Sequence, residues 1–85
     1  MFSKDLFGQR LLAFRKQNHE KQEELAAVLE TTKSHISEME NGKKTTTLEK
    51  FARLCEHYHV SADYLLGFTD DPTPRFEEDT DAVSH

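Results

Sequence analysis

Between Leu29 and Thr32 the chain has only Glu30-Thr31, and this short gap separates two stretches of helical character. In the first, Gln22 to Leu29, the residues Leu25, Ala26 and Leu29 fall on one face. Glu23 and Glu24 occupy its first turn, where the helix dipole favours acids. The second runs from a Thr32 N-cap to about Glu40, with Ile36 and Met39 on its inner side. Asn41-Gly42 ends it, because both residues tolerate the left-handed conformation found at helix C-termini. A connection this short excludes a long antiparallel hairpin and demands a sharp turn. The first helix is then buried, together with one side of the second. Lys33, Ser34, Ser37 and Glu38 are left on the outer side.

The flanking segments supply the rest of a core. Phe7, Leu11 and Phe14 recur at i, i+4 and i+7, which predicts a helix from about Lys4 to Gln17 with its exit at Asn18-His19. Thr45-Thr46-Thr47 caps a fourth helix whose expected buried stripe is Leu48, Phe51, Ala52, Cys55 and Tyr58. After Val60, Ser61 caps a short fifth helix with Asp63 in its first turn, Leu65-Leu66 inward and Gly67 at its close. The expectation is an all-α, compact five-helix bundle over residues 1–69. Beyond Thr69 the chain turns to acids, two prolines and few apolar residues, and residues 70–85 read as a disordered acidic tail.

At 85 residues the chain makes one domain at most, with a core just large enough to fold alone. No run approaches the roughly 18 apolar residues of a membrane span, and Met1-Phe2-Ser3-Lys4 does not open a signal peptide. Cys55, the single cysteine, excludes an internal disulfide framework and fits a reducing compartment, so a cytoplasmic protein is expected. The net charge of −5 argues at first against a nucleic-acid partner. It resides in the tail, however. Asp70, Asp71, Glu77, Glu78, Asp79 and Asp81 face Arg75 alone there, and acids and bases balance over residues 1–69.

The outer residues of the third helix are hydrogen-bonding side chains suited to base edges in a DNA major groove. From pattern alone the competing reading stands equal, since any small helical bundle has polar outer faces. Five histidines raise a metal site, with Cys55, His57 and His59 close together at the end of the fourth helix. Structural zinc sites supply four ligands at recognisable spacing, which is missing, so a buried cysteine and polar helix-end histidines are expected and no metal or cofactor. No nucleophile–base pattern, glycine-rich phosphate loop or paired acids suggest an enzyme.

Residues 8–67, "GQRLLAFRKQNHEKQEELAAVLETTKSHISEMENGKKTTTLEKFARLCEHYHVSADYLLG", resemble the phage repressor and Cro type of helix-turn-helix domain, the lambda repressor-like fold. The specific pieces are Gln22 followed by Glu23-Glu24-Leu25-Ala26, the Ile36-Ser37 pair, Glu40-Asn41-Gly42, and Ser61 to Gly67. The resemblance implies base reading by Lys33, Ser34, Ser37 and Glu38, with His35 at their margin. It implies phosphate binding by Gln22, Thr32, Asn41, Lys43 and Lys44, and a structural ion pair between Arg15 and Glu40. That pair would account for a glutamate in the last turn of a helix, where the dipole disfavours it.

Three positions depart from the family pattern: Glu30 stands where the turn usually has glycine, Lys21 where helix two has a Ser or Thr cap, and Thr46 where proline is common. The resulting expectation is a sequence-specific transcriptional regulator of double-stranded DNA. It would be a repressor acting as a homodimer on a near-palindromic operator, with Tyr64, Leu65 and Phe68 as candidate dimer residues. The rival is an antitoxin-like interaction module whose acidic tail holds a protein partner.

Overall fold

The computed structural model describes residues 1–74. Five helices follow one another: α1 Lys4–Gln17, α2 Gln22–Leu29, α3 Lys33–Glu40, α4 Leu48–Tyr58 and α5 Ala62–Leu66. Four of them begin on a hydroxyl that accepts an otherwise unpartnered backbone N–H. Ser3 receives Leu6, Thr32 receives His35, Thr47 receives Lys50, and Ser61 receives both Asp63 and Tyr64. α2 is the exception, because the Lys21 side chain has no acceptor to offer. Glu24 compensates by reaching back, its Oε1 accepting the Lys21 N–H at 2.7 Å, so half of a capping box survives.

The core is built from Phe7 and Leu11 of α1, Leu25 and Leu29 of α2, Ile36 and Met39 of α3, Leu54 of α4, Val60, and Leu65 of α5. α3 packs against both α1 and α2, while α5 rests on α1 and α4 on α2. Gly8 permits the closest of these approaches. A Cβ there would stand 2.8 Å from the Glu40 carbonyl oxygen and closer still to that of Met39. Only a residue without a side chain lets α1 lie against the end of α3.

The α4 stripe differs from the sequence expectation. Leu48 is 84% exposed and Ala52 is also exposed, whereas Leu54 is fully buried. The inward face consists of Leu54, Cys55 and Tyr58, with Phe51 half-buried beside them. Phe51, Cys55 and Tyr58 of the expected stripe keep their place, and Leu54 replaces Leu48 and Ala52 in the core. Leu66 is half-buried, so of the Leu65-Leu66 pair only Leu65 enters the core.

The acidic segment also departs from expectation where it is described. Instead of leaving the fold at Asp70, it stays on the body for several residues. Arg10 donates to the carbonyls of Tyr64 and Thr69 at 2.5 and 2.8 Å and pairs with Asp70 at 2.8 Å, and the Ser61 N–H donates to the Pro72 carbonyl. The expected disorder of the remaining tail, residues 75–85, falls outside the described residues.

Candidate nucleic-acid interface

The α2–α3 corner turns on Glu30, which adopts the left-handed conformation at φ 55° and ψ 47°. The Thr31 N–H returns to the Ala26 carbonyl at 2.9 Å, tying off the end of α2. Glutamate thus occupies a backbone shape that favours glycine, and the corner keeps its sharpness at the cost of local strain. Thr32 then caps α3. Ile36, Met39 and Glu40 of that helix are buried, and Lys33 and Ser34 are exposed on its other side.

Lys33, Ser34, Ser37 and Glu38 line one shallow polar depression, and Gln22 from the start of α2 forms part of its wall. Five of the sequence-predicted site residues are therefore brought together. His35 is half-buried and does not line the depression, in keeping with a marginal position. Asn41 caps the end of α3, its Nδ2 donating to the Ser37 carbonyl at 2.8 Å. Lys43 and Lys44 are exposed just beyond it, and their backbone N–H groups both return to the Glu38 carbonyl.

Charges on this face are partly matched internally. Lys44 Nζ lies 3.6 Å from Glu38 Oε2, and Lys33 Nζ lies 4.0 Å from Glu23 Oε1. Both pairs are exposed and hold their partners only loosely. Lys43 makes no ion pair of this kind among the described residues.

Beneath the depression sits a buried polar network. Glu40 Oε2 accepts Arg15 Nε at 2.5 Å, and Oε1 accepts Arg15 Nη2 at 3.0 Å and Gln22 Nε2 at 2.8 Å. The third donor of Arg15 goes to the Glu20 carbonyl at 2.8 Å. The bidentate hydrogen bond to Glu40 raises the Arg15 pKa above its already high ordinary value. Because an ionised carboxylate is acceptor-only, Glu40 holds the Gln22 amide with its nitrogen inward.

The pairing of Glu20 with Tyr58 and His57 beside this network carried no sequence signal. The Glu20 carboxylate accepts the Tyr58 hydroxyl and lies 2.7 Å from His57 Nε2. Burial, reinforced by the Glu20 hydrogen bond, pushes the Tyr58 pKa up. These partners are far apart in sequence, and no local pattern links them. Cys55 is buried in the core and its thiol pKa is pushed up to about 11, chiefly by burial. No group of three or more metal-ligating side chains forms among the described residues.

The dimer candidates are separated by the structure. Leu65 is wholly inside the core and cannot meet a partner, which corrects that expectation. α5 has only 5 residues, and of its apolar side chains Leu65 is the one that the core takes up. The Tyr64 ring carries the Arg10 guanidinium 3.9 Å from its centroid and meets the Phe14 edge at 5.9 Å. Phe68 alone of the three is strongly exposed, at 61%.

A sharp two-helix corner inside a five-helix bundle, with a buried arginine–glutamate pair and a polar outer face on the second helix, defines a helix-turn-helix domain. Residues 11–65 match the family model described as Helix-turn-helix, and the chain belongs to that family, in its Cro/C1-type branch. Among its relatives is the uncharacterized HTH-type transcriptional regulator YobD of Bacillus subtilis (strain 168), 39% identical over 72 residues. That match covers 85% of this chain and 64% of the relative, so the chain spans less than two thirds of that protein's length. The P22 c2 repressor protein, solved in complex with a synthetic operator, superposes with a TM-score of 0.71 at 28% identity. The match covers 75% of this chain and 97% of that one. The restriction-modification controller protein C.AhdI from Aeromonas hydrophila gives a TM-score of 0.65 at 26% identity, covering 73% and 94%. No helix among the described residues is long and apolar enough to cross a membrane.

Proposed function

We propose that the chain is a cytoplasmic, sequence-specific DNA-binding transcriptional regulator that represses by occupying a near-palindromic operator as a homodimer. The observation that carries this reading is the depression on the outer side of α3, where Gln22, Lys33, Ser34, Ser37 and Glu38 converge. An α-helix fits the major groove, and these side chains can donate to or accept from base edges there. Lys33 is suited to guanine, whose groove edge carries two acceptors, and Glu38 to the amino group of cytosine. Ser34 and Ser37 serve either kind of base, and His35 stays at the margin.

Gln22, Thr32, Asn41, Lys43 and Lys44 surround the readers and set the register through phosphates, which hold the protein without informing it of sequence. Glu38 so near the phosphates would be repelled, and the adjacent Lys44 offsets part of that charge. Glu40 is kept from harm in another way, buried and matched by Arg15 and Gln22. A single domain of this size buries too little DNA for useful specificity, and two copies one DNA turn apart double the contacts. The fold match to the P22 c2 repressor on its operator supports the repressor reading.

Selection of binding sites from a random DNA pool tests this reading. It expects a conserved motif in two inverted halves, centred about 10–10.5 base pairs apart or a multiple of that. An unenriched pool would overturn it.

A further inference from the structure

Gly8 turns towards the end of α3, and Arg10, two residues on, points about 200° away from it around α1. The Arg10 guanidinium lies over the Tyr64 ring and donates to the carbonyls of Tyr64 and Thr69. It also pairs with Asp70 at 2.8 Å, and the Arg10 side chain is only 13% exposed. A little further on, the Pro72 carbonyl accepts the Ser61 N–H at 2.9 Å. The chain after α5 is thus folded back along that helix, from Gly67 at its end to Ser61 at its start. Thr69 Oγ1 and Asp71 Oδ1 stiffen the return by accepting the N–H groups of Asp71 and Thr73. Arginine suits the centre of this arrangement, since it offers forked donors and a flat face to lay on a ring.

Where the same segment would lie without Arg10 follows from the ends of two helices. A Cβ on Gly67 would stand 3.0 Å from Leu6 Cδ2, and one on Gly42 would stand 3.2 Å from Asp5 Cα. The ends of α5 and α3 therefore meet at adjacent residues of α1, with Lys43 and Lys44 directly beyond Gly42. Pivoting at Gly67, Asp70 and Asp71 have a reach of roughly 11–14 Å. They open a stretch, residues 70–85, that has six acids against Arg75, while residues 1–69 are balanced in charge. A segment tethered so close to the lysines meets them at high local concentration.

We propose that residues 68–72 are a strap, closed by Arg10, that keeps the acidic segment off the phosphate-binding lysines, and that opening it sets those acids against DNA. The proposal rests on the DNA-binding reading above and adds an autoinhibitory control to it. Closed, the strap holds Asp70 on the side of α1 turned away from α3. Open, the acids take the place of phosphates at Lys43 and Lys44, and DNA must displace them. Arg10 thereby governs affinity without touching DNA.

The test is a four-way comparison of the full chain on an operator selected from the random pool, at low and at high salt. The proteins are the wild type, Arg10→Gln, a chain with Asp70, Asp71, Glu77, Glu78, Asp79 and Asp81 changed to their amides, and the two combined. Far-UV CD confirms folding, and amide exchange of Ser61 reports the strap, because Pro72 holds that N–H. Arg10→Gln should speed Ser61 exchange and weaken operator binding by about three- to tenfold at low salt, the effect of a few exposed charge contacts. High salt should remove the difference. In the amide background the same change should alter affinity far less. An equal loss in both backgrounds would overturn the proposal, because the effect would then belong to the lost arginine charge or to the fold. Unchanged Ser61 exchange, or fast exchange with unchanged affinity, would overturn it as well. If Arg10→Gln does not fold, Arg10→Lys replaces it. Lysine keeps the charge but cannot hold both carbonyls and the ring, so the same pattern is expected at smaller size, and its absence would overturn the proposal. A wild type that binds no operator would remove the DNA-binding reading, and this control with it.

Discussion

Replacing Glu40 by alanine should destabilise the fold markedly. The carboxylate is almost fully buried and accepts three hydrogen bonds, two from Arg15 and one from Gln22. Its removal leaves an arginine side chain that is only 13% exposed, with the Glu20 carbonyl as its remaining acceptor. Breaking a buried ion pair from one side costs about 3–5 kcal/mol. The surviving Glu20 contact and the slight exposure of Arg15 favour the lower end, about 3 kcal/mol. For a domain of this size each kcal/mol lowers the melting temperature by about 4–8 °C, so a drop of about 12–24 °C is expected. Thermal melts of Arg15→Ala, Glu40→Ala and the double mutant form the assay. The double mutant should lose clearly less than the two singles combined, by about 1 kcal/mol or more. Since the pairing raises the Arg15 pKa, its stabilisation is complete below the ordinary arginine range and is lost only above it. Arg15 should therefore contribute no pH dependence to these melts near neutrality. Additive single losses would refute the reasoning.

Three further outcomes follow from local geometry. Glu30→Gly relieves a left-handed residue and should stabilise the fold by about 1 kcal/mol in denaturant titrations, since its ion pair with Arg53 is exposed and weak. Thr46→Val removes a buried hydroxyl that has no hydrogen-bond partner among the described residues. Its stability should stay level or rise by about 1 kcal/mol, and a clear loss in the same titration would mean that the hydroxyl is paired. Cys55 keeps its proton in the folded state to about pH 11, whereas an unfolded thiol loses it near pH 8.5. Its contribution is complete below that lower value and is lost as pH rises towards the folded pKa. Wild-type melts should fall between pH 8.5 and 11 by up to about 2–3 kcal/mol more than those of Cys55→Ala, with equal slopes refuting the assignment.

The helices were legible because their ends are chemically marked. Thr32, Thr47 and Ser61 each sit where a short oxygen can take a backbone N–H, and Gly42 and Gly67 sit where φ is positive. The α4 stripe was legible at Phe51, Cys55 and Tyr58 but not at its edge, since Leu48 and Leu54 both lie at helical spacing from Phe51. Contact with α2 chooses between them, and that contact is tertiary. Leu65 was misplaced as a dimer residue for a similar reason, because an apolar residue on a very short helix has two plausible sides. The gathering of Gln22 with Lys33, Ser34, Ser37 and Glu38 could be anticipated from the corner. Its bond to Glu40 could not, nor could the Glu20–Tyr58 pair, because such partners meet only when the helices pack.

The central claim is that the outer side of α3 reads bases while its flanks hold phosphates. Affinities for every single-base variant of a selected operator, at one salt concentration, test it most directly. The wild type would be compared with Lys33→Ala, Glu38→Ala and Lys43→Ala. Lys33→Ala and Glu38→Ala should each relax discrimination at a half-site position by about 1–3 kcal/mol. Lys43→Ala should weaken all variants by a similar factor and, for a dimer, flatten the salt slope by about two units. If neither Lys33→Ala nor Glu38→Ala changes the ranking of the variants, α3 does not read the operator through them and the account is contradicted.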